Sequence, residues 1–144
     1  MADVPAVRLD EGVLPAYAHT GDAGADLVAN VDVVLAARGG RALIPTGVAV
    51  AIPDGYAGLV LARSGLAVRH GVACLNAPGL IDSGFRGELQ VVLINTDSEA
   101  DYVVRRGDRI AQLVIVPIAT GRFVESEELP ASTRGEGGFG HSGR

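Results

Sequence analysis

Val48-Ala-Val-Ala-Ile-Pro-Asp-Gly-Tyr-Ala-Gly-Leu-Val-Leu-Ala62 carries the pattern that decides the fold. Valine and isoleucine alternate with alanine up to Ile52, and a period of two belongs to a strand. Pro53-Asp-Gly55 supplies turn residues, and a second β-rich run follows from Gly58 to Ala62. The same grammar recurs in Ala6–Leu9, Ala25–Ala29, Val31–Leu35, Val72–Leu75, Glu88–Asn95, Tyr102–Val104 and Ile110–Ile118, and the first run of the quoted stretch extends back one residue as Gly47–Ile52. Arg38-Gly-Gly, Asn95-Thr-Asp-Ser and Arg106-Gly-Asp108 punctuate these runs at intervals of about ten residues. Such spacing predicts an all-β sandwich or barrel with one helical turn, Ser64–Arg69, capped by Ser64.

A chain of 144 residues with 48% apolar content makes one domain with one core. The longest apolar run, Leu113 to Ala119, falls far short of the roughly 20 residues that span a bilayer. The start, Met1-Ala-Asp-Val-Pro, has neither the basic nor the hydrophobic region of a secretory signal. Cys74 stands alone in an apolar run, which fits a buried thiol in a reducing cytoplasm. The net charge of −5 argues against a nucleic-acid polymer as partner. All twelve basic residues are arginine, so an anion must be held by guanidinium forks, backbone amides or a metal. His19, His70 and His141 are too far apart in sequence to suggest a His/Cys metal site.

Residues 1–120 form the expected β domain, and residues 121–144 an arm leaving it. Gly135 to Ser142 reads G-E-G-G-F-G-H-S, the spacing of a phosphate-cradling P-loop with His141 in place of its lysine. A P-loop opens a helix, yet only two residues follow Ser142. The expectation is therefore a phosphate grip completed by another part of the protein or by another copy. Five glycines in the last nine positions before Arg144 make its free form costly to order, so it should order on a ligand.

Four internal stretches carry chemistry. Arg63-Ser-Gly-Leu-Ala67 offers a charged fork, a hydroxyl and amides suited to phosphate oxygens, or else an ordinary capped turn. Asn76 through Gly87 predicts a hairpin tip with Asp82 at its bend, whose edge can read a flat ring. The plainer alternative has Asp82 bonding only its own backbone. Gly107 through Gln112 is a turn and strand with Gln112 at an inward-facing parity. Gly21 through Leu27 sets Asp22 and Asp26 around a small-residue turn, able to capture waters of a phosphate-bound Mg²⁺ or simply to face solvent.

Taken in order with the tail, these stretches resemble the trimeric dUTPases, the deoxyuridine triphosphate nucleotidohydrolases. The resemblance rests on Ala23–Leu27, Arg63–Ala67, Asn76–Glu88, Arg106–Leu113 and Arg134–Gly143, and it covers nearly the whole chain. It implies a jelly-roll-like β fold and a homotrimer whose three sites each draw on all subunits. It also implies hydrolysis of dUTP to dUMP and pyrophosphate with Mg²⁺ on the triphosphate, which keeps uracil out of DNA and supplies dUMP for thymidylate synthesis. By the same resemblance Asp82 is the general base, a role worth about 10²–10⁴-fold in rate. Asn76, Leu80 and Ile81 read uracil, Phe85 packs on the deoxyribose, and Gln90 adds a substrate contact. Arg63, Ser64, Gly65 and Gln112 hold phosphates, and Asp26 reaches Mg²⁺ through water. Arg134 meets the γ-phosphate, Phe139 covers the base, and Gly140 and Ser142 bind phosphate oxygens.

Three positions depart from the family pattern: Phe85 replaces a usual tyrosine, Ala62 a common proline, and His141 a frequent serine. Two other functions compete. A dCTP deaminase of the same fold needs a further acid/base carboxylate, and no additional glutamate near these stretches suits it. A non-catalytic nucleotide-sensing trimer would not need Asp82, Arg63 and Arg134 intact.

Overall fold

A computed structural model describes residues 2–138. Its elements run β1 (Ala6–Arg8), β2 (Ala25–Val28), β3 (Val33–Leu35), β4 (Gly40–Val50), β5 (Tyr56–Ala62), α1 (Ser64–His70), β6 (Val72–Cys74), β7 (Gly79–Ile81), β8 (Glu88–Asn95), β9 (Tyr102–Val104) and β10 (Arg109–Pro117). All pairings are antiparallel. One four-stranded sheet has the order β1-β4-β8-β6, a second β2-β10-β5-β7, and β3 and β9 form a ribbon. The fold is all-β and jelly-roll-like with one short helix, as predicted.

Alternation explains the core. Leu89, Val91, Leu93 and Asn95 of β8 turn inward, while Gln90 on the other face is exposed. With Leu27, Ile44, Val48, Ile52, Val60, Ile110 and Leu113 they close one apolar interior between the sheets. Asn95 is fully buried but satisfied: its amide donates to the carbonyls of Leu35 and Ala100, and its oxygen accepts from Asp97 N–H. Among the described residues no helix is long and apolar enough to cross a membrane.

The structure corrects three expectations. β4 begins at Gly40, seven positions before the predicted start, because Pro45 and the bulge between Pro45 and Ala49 interrupt a strand that nonetheless continues. Arg63, not Ser64, is the N-cap of α1: its backbone is extended and its carbonyl accepts from Leu66 and Ala67 N–H. Ser64 is already helical, and its exposed hydroxyl caps nothing. Residues 76–87 are no hairpin. β7 pairs with β5 in one sheet, whereas β8 pairs with β4 and β6 in the other, so the turn after β7 is an arch between sheets.

Candidate active site

Two regions gather the predicted residues. The first lies where β5 ends beside β2 and β10. Strand register sets Gln112 opposite Asp26 on one side and Leu61 on the other. Gln112 does not point inward; Ala111 and Leu113 fill the core, and Gln112 is half-buried on the opposite face. Its side chain crosses Gly24, where a Cβ would meet the Gln112 Cβ at 3.0 Å. That close approach explains the small-residue turn before Asp26.

Asp26 is the hub of this region. It is buried, and its carboxylate accepts from Gln112 Nε2 at 3.3 Å and Arg109 Nη1 at 3.2 Å, with Arg63 Nε at 3.7 Å. Arg63 also donates from Nη1 to the Arg109 carbonyl at 3.0 Å. A buried carboxylate is tolerated only when paired and hydrogen-bonded. Two guanidiniums around one carboxylate leave net positive charge on the sheet face, next to the exposed Ser64 hydroxyl. Such a cluster attracts an anion richer in charge than one carboxylate. Arg109 had no predicted role; its place opposite Val28, across the bulge from Asp26, becomes apparent only from the register.

The second region is β7 with its two arches. β5 pairs with one side of β7 only, so the other edge of Gly79–Ile81 is open. Asn76 and Leu80 are exposed, Ile81 is half-buried, and Asn76 Nδ2 sits close to Gly79. Asp82 is exposed, and its carboxylate has no hydrogen-bond partner among the described residues. Its backbone carbonyl accepts from Phe85 N–H at 3.1 Å. The turn is gripped by Arg86, whose Nη1 donates to the Ser83 carbonyl at 2.6 Å and the Phe85 carbonyl at 2.8 Å. Glu88 anchors the arch where it enters β8, accepting from Gly47 N–H at 2.7 Å. Phe85 lies over Gly87, leaving its ring partly exposed. Sequence reasoning missed Arg86 and Glu88 because they act on backbone groups; an arginine two residues past a turn is a weak signal for that.

One chain does not bring the two regions together. Ile81 pairs with Gly58, so Asp82 stands level with Ala57. Arg63 lies six positions farther on, just past the end of β5, roughly 20 Å away at ~3.3 Å per residue. Gln90 is in the other sheet, paired with Pro45. Arg134 is exposed and donates from Nε to the Gly137 carbonyl; no hydrogen bond joins it to the β body. Phe139, Gly140 and Ser142, like His141, lie outside the described residues. A cavity of about 530 Å³ near Tyr17, Val50, Tyr56 and Ile115 contains none of the predicted site residues.

No three His, Cys, Asp or Glu side chains converge as a metal site among the described residues. Asp26 alone, already engaged by three donors, cannot cage a resident ion.

The dUTPase family pattern matches residues 10–143. The deoxyuridine 5'-triphosphate nucleotidohydrolase of Thermobifida fusca (strain YX) is 57% identical over 137 residues, covering 94% of this chain and 76% of that protein. Its counterpart in Leifsonia xyli subsp. xyli (strain CTCB07) is 48% identical over 143 residues, covering 99% and 93%. Among solved structures, a mutant of the Staphylococcus bacteriophage 80alpha dUTPase with dUpNHpp superposes with a TM-score of 0.92 at 32% identity, covering 100% of both chains. A mutant dUTPase from phage phi11 of S. aureus, described with a structural Mg(II) ion, gives 0.83 at 30% identity and covers 90% of this chain and 100% of its own.

Proposed function

Because the chain belongs to the dUTPase family, we propose that it hydrolyses dUTP to dUMP and pyrophosphate in sites shared between copies of a homotrimer. The observation that carries the proposal is the set of four side chains on one sheet face, Asp26, Arg63, Arg109 and Gln112, with an exposed hydroxyl at Ser64. Phosphoryl transfer asks mainly for positioning and charge neutralisation, and this cluster supplies both.

Uracil docks on the open edge of β7, read by Asn76 and the backbone of Leu80 and Ile81. Phe85 lies against the deoxyribose and excludes a 2′-hydroxyl by its bulk. Arg63, Ser64, Gly65 and Gln112 hold phosphate oxygens, and Gln90 adds a contact. Asp82 takes a proton from water as the water oxygen bonds to the α-phosphorus. The bond from that phosphorus to the bridging oxygen breaks, and pyrophosphate leaves with the electron pair. Mg²⁺ carried by the nucleotide neutralises phosphate charge, and Asp26 would reach it through water.

Since Asp82 and Arg63 of one chain stand roughly 20 Å apart along β5, they serve different sites, which supports a trimer with shared sites. Residues 1–120 act as the body. Residues 121–144 act as a lid, with Arg134 on the γ-phosphate, Phe139 over the base, and Gly140 and Ser142 on phosphate oxygens. Expelling water beneath the lid strengthens each fixed charge. Deamination of dCTP finds no support in the arch, because Glu88, the glutamate nearest Asp82 in sequence, is spent on Gly47 N–H.

The purified protein with Mg²⁺ should release pyrophosphate from dUTP far faster than from UTP, dTTP or dCTP. Equal rates on all four would reject the proposal.

A further inference from the structure

Arg69 is the arginine near the phosphate cluster that the proposed mechanism leaves idle. It follows Gly65 by four positions on α1, so the two share one face of the helix. Long helical side chains lean toward the N-terminus, and this one folds back over Gly65. A Cβ at Gly65 would meet Arg69 Nη2 at 2.7 Å, Cζ at 3.3 Å and Nη1 at 3.6 Å. Glycine, a poor helix residue, is thus what lets a guanidinium settle against the first turn of α1 at Gly65.

Charge makes the arrangement informative. A basic residue in a last helical turn is ordinarily explained by the exposed carbonyls there. Arg69 carries its charge away from them, to the first turn, where a cation gains nothing from the helix. His70 remains at the far end. Arg63 and Arg109 share Asp26, while among the described residues no carboxylate lies within ion-pair distance of Arg69. Tyr102 senses the same neighbourhood: burial first, then Asp108, raise its pKa, while Arg63 and Arg69 both draw it down. Arg63 and Arg69 thus both lie within electrostatic range of Tyr102, and of the two only Arg63 has a carboxylate within ion-pair distance among the described residues.

We propose that Arg69 is a substrate-binding residue, a second guanidinium beside Gly65 that engages the terminal phosphates of the nucleotide. The proposal rests on the dUTP reading above. A planar fork can grip two phosphate oxygens at once, whereas lysine would act as a point charge. The contact lies with the β- and γ-phosphates, so it separates triphosphate from monophosphate binding.

Calorimetric titration of wild type, Arg69→Gln and Arg69→Lys with dUpNHpp and with dUMP tests this. Arg69→Gln should weaken dUpNHpp by about tenfold or more, the loss of one charge-assisted contact. Its dUMP affinity should stay within about twofold, and Arg69→Lys should recover part of the loss. Two results overturn the proposal: unchanged affinity for both ligands, or an equal fall for both, which is the mark of a structural role. Wild-type protein that bound neither ligand would remove the dUTP reading and this inference with it.

Discussion

Asp26 shows how much of a site one side chain can organise. The small-residue turn offers Asp22 and Asp26 as captors of a magnesium's waters, and the family resemblance singles out Asp26; in the fold its carboxylate engages Arg63, Arg109 and Gln112. Arg63 and Gln112 are named from sequence and Arg109 is not, but their convergence on Asp26 is invisible there because register alone brings them side by side. Cys74 is the opposite case, fully legible as a buried lone thiol. Burial pushes its pKa from 9.0 to about 11. The thiol is an acid whose folded pKa is raised, so its neutral form favours the fold. That contribution is complete below 9.0 and is lost as pH rises through about 11. Denaturant titrations across this range should show wild type losing stability relative to Cys74→Val, which has no ionisable group to bury. Parallel curves for the two proteins would contradict the assignment.

Among the elements, alternating strands were legible and irregular ones were not. β8 and β9 have the predicted bounds, because period-two patterning survives without tertiary help. β7 was concealed: three residues between a proline and a turn give no periodicity, and pairing with β5 makes them a strand. The stretch around Asp82 stands out in the sequence, but its geometry as an arch between sheets does not. The arm is the other irregular element. The last hydrogen bond before it is Ile118 N–H to the Gly55 carbonyl; beyond that the described residues bond only among themselves. Phe123 and Leu129 are left almost wholly exposed. A chain ending at Ser132 should melt with the full-length protein yet lose most dUTP turnover in a pyrophosphate-release assay. Full activity would remove the lid from the mechanism.

At the scale of the whole molecule, the distance between Asp82 and Arg63 yields a genetic test. Asp82→Asn should lose about 10²–10⁴-fold in kcat as the base disappears, and Arg63→Gln should be crippled by weakened phosphate binding. If a site takes Asp82 from one copy and Arg63 from another, co-expressing both variants creates some sites with neither lesion. Mixed trimers should then turn over dUTP well above either variant alone, measured as steady-state rate per trimer. Activity no higher than the better single variant would mean that each site is built within one chain. The position of β10 carries a different consequence, for folding. It lies between β2 and β5, and Gln112 meets Asp26 across a separation of 86 residues. Closing so long a loop before its contacts can reward it makes for slow folding. During synthesis, β2 must wait without its strand partner, and β5 with β7 alone beside it, for the strand that joins them. The cluster around Asp26 can form only after almost the entire body has left the ribosome, so a truncated chain lacking β10 would have no such cluster to offer.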